Sequence, residues 1–297
     1  MADTEILADG LFFTEGPRWH DNRFWFSDFY SRTVNSVSLD GDVRVELELD
    51  DQPSGLGWLP DGRMLVVAML GRKVMRVDGD GTVSLHADLG DIATYHCNDM
   101  IVDDAGRAYV GNFGFDVDDF LEEHGIEGIF DEPRPLPASL TMVDLDGTAR
   151  RVANGLSFPN GMVITPDGQT LIVAETTGSA LTAFDRRADG TLTNRRTWAN
   201  LLTDTAMLAP DGICLDANRG VWVADATGTG VHRVVEGGEI TQVVTTSQPA
   251  FACMLGGPER RHLLACTAEA ATTSIAAGSP TGRLEIVEVE VAGAGTP

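Results

Sequence analysis

The 297-residue chain is poor in basic residues and has no long apolar run. Lysine and arginine number 21 against 45 aspartates and glutamates, which gives a formal net charge of −24. A surface of this sign repels phosphate backbones and anionic lipid, so we expect neither a nucleic-acid nor a membrane partner. No stretch of about 18 apolar residues is present that would cross a bilayer. The first residues lack a basic segment followed by an apolar one, and we therefore expect no signal peptide.

Cysteine is also scarce. The four cysteines are scattered and form no Cys-x-x-Cys pair; they are Cys97, Cys214, Cys253 and Cys266. In a chain of this length, such spacing favours buried, reduced thiols over a disulfide framework. We expect a cytoplasmic protein.

Three common catalytic motifs are absent. The chain has no Gly-x-Ser-x-Gly nucleophile elbow, no Gly-x-x-x-x-Gly-Lys phosphate loop and no His-Glu-x-x-His zinc helix. These absences argue against a serine hydrolase of that type, a P-loop enzyme and a zinc-helix protease.

The chain does contain a repeated hairpin. Six times, a tight turn is followed by a short run of β-branched and aromatic residues, as where Pro60-Asp61-Gly62 precedes residues 64–68. The turns lie at positions 22, 62, 106, 168, 220 and 260, with spacings of 40, 44, 62, 52 and 40. Four-stranded units of about 40–50 residues are typical of propeller blades. The sequence therefore predicts an all-β, six-bladed β-propeller with four-stranded blades, in one domain over residues 1–297.

The longest spacing contains an insertion, roughly residues 113–138, in the region of the third and fourth blades. It holds the only clear helix-period pattern of the chain, at residues 117–125. A loop of this length is usually either functional or disordered. Two interpretations stay open, a lid over one end of the channel and a passive surface excursion.

The two ends of the chain carry strand patterns that would close the ring. Residues 282–291 alternate polar and apolar side chains, as a strand does. Residues 5–8 are expected to pair within the same blade, which would shield its edge.

A polar residue recurs near the start of the first strand in five of the six units. These residues are Glu15, Ser54, Asn98, Asn160 and Asp211. Because the first strands of all blades surround the axis, we expect these side chains to converge. Their hard oxygen atoms favour Ca²⁺, Mg²⁺ or Mn²⁺ over a closed zinc site. We expect Ca²⁺ first, with Mg²⁺, Mn²⁺ or Zn²⁺ as alternatives. Two carboxylates this close repel each other unless a cation lies between them, so we predict one divalent metal ion. A hydrated channel lined by polar residues is the alternative.

Four short motifs resemble those of the regucalcin/gluconolactonase-like (senescence marker protein) family of six-bladed propellers. The motifs are Thr-Glu-Gly-Pro-Arg-Trp at 14–19, Asn98-Asp99 ahead of Asp103, Phe-Pro-Asn-Gly-Met at 158–162 and Pro-Asp-Gly-Ile at 210–213. The resemblance runs over nearly the whole chain. It implies a divalent metal held by Glu15, Asn160 and Asp211, with Asn98 beside it. It also implies lactone hydrolysis as the activity.

One position departs from the pattern of this family. Its sugar-lactone members often carry arginine two residues before the asparagine that matches Asn98, and His96 stands there in this chain. Histidine cannot reproduce the forked donors of arginine. The insertion adds Phe113, Phe115 and Phe120, which favour an apolar pocket. We expect a small lactone or ester substrate with apolar character. The expected substrate-binding residues are His96, Asn98, Ser54 and Phe115.

The expected mechanism is hydrolysis by a metal-activated water. Asp211 is the expected general base, with Glu15 as the second candidate, and the Asn98 amide is expected to stabilise the developing oxyanion. Two alternatives stay open. One is an esterase or phosphotriester hydrolase that uses the same metal site, and the other is a non-catalytic binding propeller with a structural ion.

Overall fold

The computed structural model describes residues 2–125, 128–129, 131, 134–202 and 207–296. These residues form six sheets, antiparallel except for one short parallel pair, whose first strands contact one another in a closed ring around a central channel. The predicted six-bladed β-propeller is confirmed.

The strands follow one another blade by blade. The N-terminal strands are β1 (Ala2–Asp3) and β2 (Glu5–Leu11). Blade 1 contains β3 (Thr14–His20), β4 (Arg23–Asp28), β5 (Thr33–Val37) and β6 (Val43–Glu48). Blade 2 contains β7 (Pro53–Trp58), β8 (Met64–Ala68), β9 (Lys73–Val77) and β10 (Val83–Asp88). Blade 3 contains β11 (Cys97–Val102), β12 (Ala108–Asn112), the helix α1 (Val117–His124), β13 (Ala138–Val143) and β14 (Ala149–Leu156).

The second half of the ring has the same plan. Blade 4 contains β15 (Pro159–Ile164), β16 (Thr170–Glu175), β17 (Ala180–Arg186) and β18 (Leu192–Asn200). Blade 5 contains β19 (Pro210–Leu215), β20 (Val221–Asp225), β21 (Gly230–Val234) and β22 (Ile240–Thr245). Blade 6 contains β23 (Ala250–Gly256), β24 (His262–Thr267), the helix α2 (Thr273–Ala276) and β25 (Gly282–Glu288).

The N-terminal strands close the ring. Strand β2 pairs antiparallel with β25 as the outer strand of blade 6, with Glu5 opposite Ile286. Strand β1 pairs in parallel with β22 of blade 5, with Ala2 opposite Val244. The predicted pairing of the two chain ends is confirmed, and it ties blade 6 to blade 5 by backbone hydrogen bonds.

The apolar faces of neighbouring blades pack against each other. Phe24 of blade 1, Trp222 of blade 5 and Leu264 of blade 6 are fully buried in one cluster. Burial of such faces removes apolar surface from water, the main favourable term in folding. All four cysteines are free and buried, as predicted. Among the described residues, no helix has the length and apolar character needed to span a membrane.

The predicted insertion lies within blade 3, between β12 and β13. Its residues 126, 127, 130, 132 and 133 lie outside the described residues. The predicted helical segment is confirmed as α1, which Asp116 caps by accepting a hydrogen bond from the backbone N–H of Asp119. In each blade the second strand returns to the end at which the first strand begins. Helices α1 and α2 therefore both lie at this end of the channel, on opposite blades of the ring.

Candidate active site

The end of the channel where the first strands begin holds a cavity of about 320 Å³. All seven residues that the sequence predicts for metal binding, catalysis or substrate binding line it. They are Glu15, Ser54, His96, Asn98, Phe115, Asn160 and Asp211. A volume of this size is in the range of small-molecule sites.

A β-bulge places the polar side chains on the channel wall. The pairing register of every first strand shifts at this point, between Glu15 and Arg18, Pro53 and Leu56, Cys97 and Met100, Pro159 and Met162, Pro210 and Ile213, and Ala250 and Ala252. A bulge turns the intervening side chain away from the regular alternation of the strand, and bulges are frequent beside active sites. The repeated irregularity is the local reason why residues from five blades converge.

Two glycines allow the inner strands to approach closely beside the site. A Cβ on Gly161 would lie 2.5 Å from the backbone N of Ile213, and one on Gly212 would lie 2.6 Å from the Cα of Ala252. Both contacts are with the first strand of the next blade. Glycine at these two positions therefore sets the spacing of the strands that carry Asn160 and Asp211.

Three buried carboxyl groups surround the channel at this level. Burial, followed by the negative charges of Asp211 and Asp99, raises the pKa of Glu15 well above its usual value. Burial and the charge of Asp99 likewise raise the pKa of Asp211. Burial raises the pKa of Asp99, and the positive charge of Arg18 opposes this increase. The protein thus buries three carboxyl groups whose charged forms repel one another, an arrangement that a cation would relieve.

Arg18 is a buried cation in the same region. Its guanidinium donates hydrogen bonds to the backbone carbonyls of Pro17 at 2.7 Å, Leu56 at 3.1 Å and Met100 at 2.5 Å. These bonds join the first strands of blades 1, 2 and 3. When Glu15, Asp99 and Asp211 are all ionised, Arg18 balances one of their three charges, and a divalent cation would balance the other two.

A hydrogen-bond chain orients the Asn160 amide. The Thr176 hydroxyl donates to the carbonyl of Pro210 at 2.8 Å, so its oxygen can only accept from Asn160 Nδ2, at 3.1 Å. The Oδ1 atom is then the end of the Asn160 amide that points away from Thr176. It accepts a hydrogen bond from Asn98 Nδ2 at 3.3 Å. An oxygen fixed in this way is suited to metal binding, because outer partners commonly orient metal ligands.

The donor set fits a hard divalent cation. Among the described residues, no three His, Cys, Asp or Glu side chains are grouped closely enough to hold a metal ion. A metal at this site would therefore need an amide oxygen beside two carboxylates, and Glu15, Asp211 and Asn160 offer this combination. Oxygen-only sets of this kind are typical of Ca²⁺ and Mg²⁺.

Asn98 is already engaged through its amide nitrogen. Nδ2 donates to the carbonyl of Pro159 at 3.1 Å as well as to Asn160, whereas the buried Oδ1 has no hydrogen-bond partner. In this conformation Asn98 positions Asn160. It would donate to a developing oxyanion only by giving up one of these two bonds.

The rim of the cavity carries His96 and Tyr95. Burial lowers the pKa of His96, partly offset by the nearby Asp116 carboxylate, and so favours the neutral imidazole. The Tyr95 hydroxyl donates to Asp116. The His96 ring lies 6.3 Å from that of Phe113, centroid to centroid. His96 therefore lies between the polar residues of the channel and the phenylalanine side chains that line the cavity.

Sequence reasoning missed the roles of Arg18, Asp99 and Thr176. The repeat itself contained a signal for Thr176. The equivalent position, directly after the second strand, is apolar in every other blade: Phe29, Met69, Phe113, Ala226 and Ala268. A single hydroxyl at a repeat position that is otherwise apolar indicates a hydrogen-bonding role for Thr176.

Comparisons with known proteins agree with this architecture. The family model described as SMP-30/Gluconolactonase/LRE-like region matches residues 13–269. Pentonolactonase XacC of Haloferax volcanii is 26% identical over 276 residues, which cover 90% of this chain and 86% of that protein.

Two solved structures share the fold. A luciferin-regenerating enzyme aligns with a TM-score of 0.81 and 17% identity, over 98% of this chain and 97% of that one. Regucalcin from Agrobacterium tumefaciens, described as a calcium-binding protein, aligns with a TM-score of 0.78 and 19% identity, over 100% and 97%. The family model covers most of the chain and includes the four motifs, and the resemblance is therefore confirmed: the chain belongs to the SMP-30/gluconolactonase/LRE-like family.

Proposed function

We propose that the protein is a metal-dependent lactonase. The observation that carries this proposal is the convergence of Glu15, Asn160 and Asp211, all buried, in a cavity large enough for a small organic ester. Membership of a family that includes gluconolactonases supports it, as does the relative named as a pentonolactonase.

The proposed cofactor is one divalent cation, with Ca²⁺ as the first candidate. Glu15, Asn160 and Asp211 are the ligands in this proposal, and the calcium-binding relative supports the choice of ion. When bound, such an ion polarises a carbonyl group and lowers the pKa of a water molecule.

The protein residues then carry the proton and position the substrate. Asp211 accepts the proton of the attacking water, because a carboxylate that binds a cation through one oxygen keeps the other free. The water oxygen bonds to the carbonyl carbon and the ring C–O bond breaks. The proton passes to the leaving oxygen, and the product is a hydroxy acid. General-base catalysis of this kind typically contributes about 10²–10⁴ in rate.

The remaining predicted residues bind the substrate in this scheme. Asn98 holds Asn160 in place and offers a donor to the oxyanion if its 3.3 Å bond is exchanged. Ser54 and His96, from neighbouring blades, supply hydrogen bonds, and Phe115 supplies an apolar contact.

We further propose that α1 and α2 form a lid over the cavity. Val117, Phe120 and Leu121 of α1 pack in an apolar cluster with Phe13 and Phe251 from the ring. Exclusion of bulk water would strengthen the electrostatic interactions below. A single propeller domain and a cytoplasmic location complete the proposal, the latter in keeping with four free thiols.

The test is a hydrolysis assay before and after chelation. The substrates are a sugar lactone, an aliphatic lactone, an aryl ester and a phosphotriester. Lactone turnover should be abolished by the chelator, restored by Ca²⁺ and reduced by about 10³-fold or more in Asp211→Asn. The matched control Asp40→Asn changes an exposed aspartate away from the cavity and should retain activity.

Two results would contradict the proposal. Faster turnover of the aryl ester or the phosphotriester than of any lactone would assign the site to the corresponding hydrolase. If no substrate is hydrolysed while Ca²⁺ still raises the melting temperature, the ion is structural.

A further inference from the structure

We call the group Glu15, Asn98, Asn160 and Asp211 the polar floor of the cavity. The rest of the cavity lining is rich in phenylalanine. Seven of the phenylalanines that the structure describes line the cavity. Phenylalanine has no donor or acceptor, so this concentration points to an apolar ligand surface over the polar site.

One wall consists of three phenylalanine rings packed edge to face. The ring of Phe158 lies 4.9 Å from that of Phe113 and 5.8 Å from that of Phe115, at interplanar angles of 69° and 89°. Aromatic pairs at such distances and angles stabilise each other beyond their burial. The wall is therefore a preformed surface.

Phe158 occupies a strained backbone conformation. Its φ is +57°, a region that bulky residues rarely adopt. Strain of this kind is concentrated at functional sites. Phe158 lies two residues before Asn160, so the same segment carries part of the aromatic wall and a residue of the polar floor.

A second group of phenylalanine side chains lies on the opposite side of the propeller. Phe13 lies 5.3 Å from Phe29 and 4.8 Å from Phe251. These residues come from blades 1 and 6, whereas Phe113, Phe115 and Phe158 come from blades 3 and 4. A ligand in the cavity is thus flanked by aromatic side chains from both sides.

Several polar side chains that line the cavity already bind one another, and none of the described lining residues is a cation. No lysine or arginine is among the described residues that line it. Tyr95 donates to Asp116, and the Thr273 hydroxyl contacts both Asp118 and Tyr30. Beside the phenylalanine rings, the hydroxyl groups of a sugar lactone would lose water without gaining a partner, and each unsatisfied group lowers the affinity.

We infer that the substrates are lactones bearing an aromatic ring or a compact alkyl group, in preference to sugar lactones. This inference rests on the proposed lactonase function and adds the substrate class. The ester carbonyl lies at the floor beside Asp211, and the apolar part lies between the two sets of rings. A cavity of about 150 Å³ admits benzene, so about 320 Å³ has room for a fused bicyclic lactone.

The first test compares kcat/KM for dihydrocoumarin, an aryl-fused δ-lactone, with that for a sugar γ-lactone. In the Ca²⁺-loaded protein we expect a ratio of about tenfold or more in favour of dihydrocoumarin. Phe115→Ala should lower this ratio by about tenfold, mainly through dihydrocoumarin, and Phe115→Leu by less. The control Leu136→Ala alters a residue of the same insertion that is 70% exposed and outside the cavity, and the ratio should not change.

Equal or better turnover of the sugar lactone would overturn the inference and leave the lactonase proposal intact. If neither lactone is hydrolysed, calorimetric binding of the matching aryl-fused lactam decides. Saturable binding that Phe115→Ala weakens would support an apolar ligand class and reject the lactonase proposal. Failure of both hydrolysis and lactam binding would overturn both.

Discussion

The Asp118 carboxylate accepts two hydrogen bonds from Thr273, one from the backbone N–H at 3.0 Å and one from the hydroxyl at 2.6 Å. Asp118 lies in the first turn of α1 and Thr273 is the first residue of α2, 155 positions later. The pair joins helices from opposite blades across the mouth of the cavity. The pair links the two halves of the proposed lid by hydrogen bonds, beside the apolar cluster that contains Leu121 of α1 and Ala276 of α2.

Thr273→Val should loosen this contact without unfolding the ring. Valine removes the hydroxyl donor and keeps the shape of the side chain, so we expect amide hydrogen exchange in α1 to accelerate by about fivefold. The melting temperature should hardly change, because the contact is exposed. The control is Thr272→Val, since the side chain of Thr272 makes no capping hydrogen bond. Unchanged exchange in α1 would show that the helix is held by its apolar face alone.

Glu15→Gln should stabilise the metal-free protein and weaken the stabilisation by calcium. In chelator the variant should melt at a higher temperature than the wild type, because one of three buried like charges is gone. With Ca²⁺ at 100 times its dissociation constant, the wild type should gain about 2.7 kcal/mol, and the variant much less. Thermal unfolding with and without the ion measures both effects. If Ca²⁺, Mg²⁺ and Mn²⁺ all leave the melting temperature of the wild type unchanged, no metal binds at this site.

Thr176→Val should weaken metal binding through Asn160. The change removes the acceptor for Asn160 Nδ2 and the donor to the carbonyl of Pro210, so the amide is free to turn. We expect the dissociation constant for Ca²⁺ to rise by about 10–100-fold, as measured by calorimetry, while kcat at saturating metal falls less. Thr176→Ser keeps the hydroxyl and should bind Ca²⁺ nearly as the wild type does. Equal loss in both variants would indicate a packing role.

Glu285 should make the stability of the ring depend on pH. Its buried carboxylate accepts hydrogen bonds from Thr4, from the backbone and hydroxyl of Ser247 and from Thr267. Burial alone would raise the pKa of Glu285, but these donors outweigh it and lower the pKa below its usual value. The resulting stability is present above the unfolded pKa of about 4.3 and is lost as pH falls through the folded pKa.

The corresponding experiment compares Glu285→Gln with the wild type by urea unfolding. At pH 7 we expect the variant to be less stable by about 2 kcal/mol, because hydrogen bonds to a charged group are lost. The difference should shrink when the pH falls below about 4. Glu290→Gln changes an exposed glutamate just beyond β25 and serves as the control. A difference that does not vary with pH would assign the effect to shape alone.

Much of the fold could be predicted because its signals are local. A turn such as Pro60-Asp61-Gly62 has its own backbone preference, and Gly62 adopts a φ of +87°. The strand patterns at residues 5–8 and 282–291 likewise predicted the closure of blade 6, where Glu5 lies opposite Ile286. The position of Glu15, Asn160 and Asp211 in the repeat was sufficient to predict that they meet.

The partners of those residues were less accessible to sequence reasoning. Asn160 is oriented by Thr176, and this role requires the Thr176 hydroxyl to lie within reach of the Pro210 carbonyl in the next blade. Such a contact depends on the spacing between blades, which close contacts at Gly161 and Gly212 determine. The distance between two neighbouring blades cannot be derived from the residue pattern of a single repeat.

The sequence by itself determined the number of blades, the strand order and the polar positions that face the channel, since each follows from turn chemistry and a repeat period. Only the tertiary structure decided that Asp118 meets Thr273, that Phe158 lies between Phe113 and Phe115, and that Asp99 adds a third buried carboxylate. These relationships join residues from different blades or loops, and their distances exist only once the ring has closed and apolar burial has brought the blades together.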